Sequence, residues 1–96
     1  MPTPTEFKAS LKAAEPNNGL SAQLKSLWYD AKGDLDLAHR QVDQLGDRES
    51  AWVHAYLHRK EGDTGNADYW YRTAGKVRPD ITLAQEWETL VLHFLR

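Results

Sequence analysis

The same turn is written twice in this chain, 29 positions apart. Gly33-Asp34, Ala38 and Gly46 recur as Gly62-Asp63, Ala67 and Gly75, each residue moved by the same interval (33 to 62, 38 to 67, 46 to 75). Glycine at such a turn supplies a positive φ without a Cβ penalty. The aspartate after it can accept from the free N–H groups that open the next helix. A small alanine just beyond allows two helices to approach closely. Two helix-turn-helix units with shared turn chemistry are therefore predicted.

The remainder of the sequence is punctuated in the same way. Thr3-Pro4-Thr5-Glu6 offers a cap, a proline at the first helical position and a glutamate at the third. Phe7, Leu11 and Ala14 follow on one face until Pro16-Asn17-Asn18-Gly19 breaks the chain. Leu20, Leu24, Leu27, Trp28 and Ala31 form the stripe of a second helix, and Leu35, Ala38, Val42 and Leu45 that of a third. Gly46 is expected to end the third helix in the left-handed conformation. A fourth begins near Asp47 to Ser50, Asn66 is expected to cap the fifth, and Thr82 with Gln85 forms a capping box for the last. No segment alternates with period two over a strand's length. The expectation is an all-α fold in a single domain, with helices near 4–15, 20–32, 34–45, 48–61, 66–74 and 82–95.

The 96 residues suffice for one domain with a modest core. An apolar fraction of 41% with 27% charged residues describes a globular chain. The formal net charge of −2 offers no basic excess for phosphates, so no nucleic-acid partner is expected. There is no cysteine, which excludes disulfides and thiolate metal sites. The opening MPTPTEFKAS has no apolar core like that of a signal peptide. The run Leu90-Val91-Leu92 is far too short to span a bilayer, so no membrane partner is expected either. A soluble, cytoplasmic protein is the expectation.

Residues 48–80 resemble a tetratricopeptide repeat through Gly62-Asp63, Ala67, Tyr71, Ala74 and Pro79, with Ala55 at the small position of the first helix. The first unit agrees at Tyr29, Gly33-Asp34 and Ala38. The resemblance implies two stacked helical hairpins with capping helices at both ends, and a module that binds a protein or peptide. The face that lines the family's groove carries Trp52, Tyr56, Arg59 and Lys60 here, which makes them the candidate groove. The opposing expectation is that the first or last helix covers this stripe. The family's peptide-clamping asparagines have no counterpart on it. The stretch from His54 to Arg72 is also similar to one found in a group of uncharacterised bacterial proteins, a likeness that implies no activity.

The sharpest chemical feature is His54 and His58. Four apart on a helix, their rings share a face and can meet one metal ion, with Glu61 a turn further on as a third ligand. The glutamate is not in the His-Glu-x-x-His position of zinc proteases. The competing expectation is local packing against the fifth helix. A small-ligand or metal site around His54, His58, Arg59, Glu61 and Asn66 is the alternative to a partner-binding module. His58, Glu61, Asp63 and Asp68 also lie near one turn, where carboxylates tune a histidine towards neutral pH. No nucleophile accompanies them, and carboxylates at helix starts are commonly caps. No catalytic residue, cofactor or definite metal centre is assigned from the sequence.

Tyr69, Trp70 and Tyr71 point in three directions at 100° per residue. Tyr71 aligns with Ala67 and Ala74 for burial. Tyr69 and Trp70 either pack or present an aromatic platform for a ligand. The last helix carries Leu83, Trp87, Leu90, Val91, Phe94 and Leu95. That is more apolar surface than one helix needs to dock, and a symmetric homodimer through it is expected. The alternative is a monomer in which the first helix folds over its far side.

Overall fold

The computed structural model describes residues 2–96. The described residues form six α-helices: α1 Pro4–Ala9, α2 Ala22–Ala31, α3 Leu35–Val42, α4 Arg48–Lys60, α5 Thr64–Thr73 and α6 Leu83–Phe94. A short 3₁₀ turn, Ser10–Lys12, extends α1. The fold is all-α, with no strand among the described residues. No helix there is long and apolar enough to cross a membrane.

The Gly33-Asp34 and Gly62-Asp63 turns share one backbone geometry. Gly33 and Gly62 have φ of 84° and 80°. In each turn the glycine N–H donates to the carbonyl three residues back, and the following aspartate N–H to the carbonyl five back. These turns fold α2 onto α3 and α4 onto α5, which are the two most extensive helix pairings. The capping boxes of Thr3 with Glu6 and of Thr82 with Gln85 both form.

Three departures from the expected boundaries have a visible cause. The first α-helix stops at Ala9, because the Ser10 hydroxyl donates to Phe7 O at 2.6 Å and accepts from Trp28 Nε1 at 3.2 Å. Those two bonds tighten the chain into the 3₁₀ turn, and Lys32 Nζ then takes the free carbonyls of Leu11 and Ala13. The third helix ends at Val42, and Leu45 N–H turns back to Val42 O. The chain has already left α3 when it reaches Gly46, which therefore lacks the positive φ of Gly33, Gly62 and Gly75. Asn66 does not cap α5. That helix starts two residues earlier with Asp63 as its cap residue, and Asn66 Nδ2 donates to Asp63 Oδ2 at 2.7 Å.

Helix α4 lies between two apolar clusters. Its Val53, Tyr56 and Leu57 enter the main core with Phe7, Leu24, Leu27, Trp28, Ala38, Val42, Leu90 and Val91. Its Ala55 meets Ala67 and Tyr71 of α5 in a smaller cluster flanked by Trp52 and Trp70. The surplus apolar face of α6 is taken up within the chain. Leu83, Trp87, Phe94 and Leu95 pack on the main core, and the Phe7 and Trp87 rings sit 6.0 Å apart where α1 crosses α6. Leu92 remains half exposed at 47%. The surface that motivated a homodimer is thus mostly covered by the bundle itself.

Two buried carboxylates tie the helices together. Asp30 of α2 accepts from the Tyr56 hydroxyl and from Lys60 Nζ, both at 2.7 Å. Glu86 of α6 accepts from Arg59 Nη1 at 2.9 Å and from the Tyr71 hydroxyl at 2.7 Å. Each carboxylate is only 1% exposed. A buried charge is tolerable when its hydrogen-bond sites are filled in this way. Burial, helped by the adjacent carboxylates, pushes both phenols well above the usual tyrosine range.

Candidate histidine cluster

The expected groove is not open. Tyr56 is 2% exposed and bonded to Asp30. Lys60 joins it on the same carboxylate. Arg59 is spent on Glu86 and on the carbonyl of Ile81. Trp52 is packed against His93 and Phe94 of α6, with Lys76 Nζ 4.4 Å from its ring centre. Helices α2 and α6 therefore cover this stripe, and its cations already have anionic or aromatic partners.

The opposite side of α4 is arranged differently. Asp47 caps α4 by accepting from Ser50 N–H, and the regular helix that follows brings His54 and His58 one turn apart on one face. Their rings stack at 4.8 Å. Helix α3, capped by Asp34, lays His39 across them, with ring centres 5.3 Å from His54 and 5.2 Å from His58. One ring nitrogen from each of the three histidines lies within 4.8 Å of the others. The side chains are 17%, 12% and 18% exposed for His39, His54 and His58.

Carboxylates surround the rings. His39 Nε2 is 3.0 Å from Glu61 Oε1, and His39 Nδ1 is 3.4 Å from Asp43 Oδ1. His54 Nε2 is 3.4 Å from the same Asp43 oxygen. His58 Nδ1 is 3.5 Å from both Glu61 Oε1 and Asp63 Oδ2. Those last two separations do not amount to hydrogen bonds, and His58 Nδ1 stands as a buried side-chain atom without a partner. Such atoms are uncommon in native folds because an unsatisfied buried polar group costs free energy.

Aromatic packing fixes the floor of the cluster. Trp70 of α5 stacks on the His54 ring at 4.2 Å, and Tyr69 meets Trp70 edge-on while remaining 53% exposed. Burial, with the neighbouring His58 as a lesser cause, pushes the His54 imidazole down to about 4. At neutral pH this ring is uncharged, which is the form that ligates a metal.

Of the residues singled out in the sequence, His54, His58 and Glu61 come together here, with Trp70 beneath them. Asn66 stands beside the cluster, bonded to Asp63. Arg59 points away to Glu86. His39 and Asp43 were not anticipated. A signal existed, since His39 follows Leu35 by four and precedes Val42 by three, on the stripe that faces α4. Comparison of the chain with family models, with curated proteins and with solved structures finds no match. The tetratricopeptide resemblance of residues 48–80 has no counterpart among them.

Proposed function

We propose that this protein binds a divalent transition-metal ion through His39, His54 and His58, with acidic side chains completing the coordination. The observation that supports it is the convergence of three imidazoles from two helices around an unpartnered buried nitrogen, His58 Nδ1. Neutral imidazole and carboxylate oxygen suit zinc, cobalt, nickel and copper. A site for magnesium or calcium would be built from oxygens alone.

The ligands come from α3, from α4 and from the Glu61 position that ends α4, so an ion at this site clips the second hairpin to the first. Metal binding to the folded chain stabilises it by mass action, by about 2.7 kcal/mol at a hundredfold excess over Kd. For a chain of this size that raises Tm on the order of 10 °C. The expected result of a thermal melt with and without zinc is a shift of that order, lost in His39→Ala and in His58→Ala. Unchanged melts with zinc, cobalt, nickel and copper alike overturn the proposal.

A further inference from the structure

Beyond the nitrogens that the three histidines bring within 4.8 Å of one another, the rings make a second set of close approaches, to carboxylates. They sort onto the two edges of the His39 ring. On one edge, His39 Nδ1 and His54 Nε2 both stand 3.4 Å from Asp43 Oδ1. On the other, His39 Nε2 stands 3.0 Å from Glu61 Oε1, which is 3.5 Å from His58 Nδ1, itself 3.5 Å from Asp63 Oδ2. Two ligand atoms on one tetrahedral ion with bonds near 2.0–2.1 Å lie about 3.3 Å apart. Every one of these separations falls close to that edge length. The two nitrogens of an imidazole point away from each other, so no one ion can reach both.

We propose that the cluster holds two divalent transition-metal ions bridged by His39. The first is bound by His39 Nδ1, His54 Nε2 and Asp43. The second is bound by His39 Nε2, His58 Nδ1, Glu61 and Asp63. The proposal rests on the metal-binding function put forward above and adds the number of ions and their division between ligands. Charge supports it. Asp43, Glu61 and Asp63 bring three negative charges, more than a single divalent ion neutralises, and they stand on both edges of the His39 ring. The bridge sets the ions roughly 6 Å apart across the ring. It also accounts for Asp43, an exposed acid whose oxygen is shared by two imidazoles from different helices.

Equilibrium dialysis of the full chain against zinc, with elemental analysis of metal per protein, tests this directly. The measurement is made in parallel on His93→Ala, because the exposed His93–Glu49 pair on another part of the surface is a source of adventitious binding. The expected plateau is two ions per chain in both proteins, falling to one in Asp43→Asn and to one in Glu61→Gln. A plateau at one ion, with Asp43→Asn unchanged, overturns the two-ion proposal and leaves the metal-binding function standing. No bound zinc overturns both. Copper supplies a second readout. Spins coupled through a bridging ring give an electron paramagnetic resonance intensity well below one spin per ion, and the intensity returns to one spin per ion in Asp43→Asn. Two bound coppers with full, uncoupled intensity in the wild-type protein remove the bridge. Helical circular dichroism accompanies each variant, and the wild-type stoichiometry decides the matter even where a variant does not fold.

Discussion

Gly62 has a φ of 80° and open space where a Cβ would stand, so any penalty for a side chain there is backbone strain alone. A β-branched residue in the left-handed region costs roughly 1–2 kcal/mol. Gly62→Val is expected to lose about that much in urea denaturation. Gly46→Ala, where φ is not positive and nothing crowds a Cβ, is expected to be neutral or to gain a few tenths. Equal losses at the two positions would contradict the difference in their turns. Both glycines stand where the sequence pattern ends a helix, which is why a positive φ is expected of each. What separates them is whether the preceding helix runs up to the glycine, a property of the whole turn. Asp47 offers a second test. Its carboxylate is held below the usual range chiefly by its hydrogen bond with Ser50. A depressed folded pKa means the cap contributes fully above pH 4 or so and fades as acid protonates it in the folded state. Asp47→Ala is therefore expected to cost about 1 kcal/mol at neutral pH. The gap between mutant and wild type should close as pH is lowered through the acidic range, and a gap independent of pH would exclude the carboxylate as its source.

At the scale of helices, two tyrosine–carboxylate–cation triads act as fasteners. Tyr56, Asp30 and Lys60 join α2 to α4, and Tyr71, Glu86 and Arg59 join α4 and α5 to α6. Removing one partner of a buried pair leaves the other charged and poorly solvated, at a cost of about 3–5 kcal/mol. Arg59 is 19% exposed, which places Arg59→Ala near the lower end, at about 3 kcal/mol. Tyr71→Phe removes one bond to a carboxylate that keeps its arginine, and about 1.5 kcal/mol is expected. Chemical denaturation ranks the two, and a larger loss for Tyr71→Phe would mean that Arg59 is not the principal counter-charge. The stripe of Trp52, Tyr56, Arg59 and Lys60 was legible as one face because a helix has a fixed period. What lies on that face was not legible. Nothing near Asp30 or Glu86 in the sequence marks them for burial, and their partners are 15 to 30 positions away. The packing of α2 and α6 on α4 turns a polar stripe inward.

Across the whole molecule, the histidine cluster depends on the order in which hairpins stack. His54, His58 and Glu61 are legible together, since i, i+4 and i+7 recur on one helix face. His39 becomes their neighbour only because α3 packs on α4, and Asp43, four residues after His39 and still helical in its backbone, comes with it. Local rules reach the hairpins, while the approach of one hairpin to the next is settled by the core between them. The stacking of Trp70 on His54 has an optical consequence. An indole 4.2 Å from the His54 ring would be within reach of quenching by a paramagnetic ion at the proposed site, whereas Trp28, Trp52 and Trp87 are packed into or against the main core. Copper is therefore expected to extinguish a discrete share of the tryptophan emission, saturating with metal occupancy. Trp70→Phe should bind copper and lose that drop, while equal fractional quenching in the variant would place the ion elsewhere. The chain thus carries its own fluorophore on the wall of the site, and occupancy can be followed in solution by light alone, without a label.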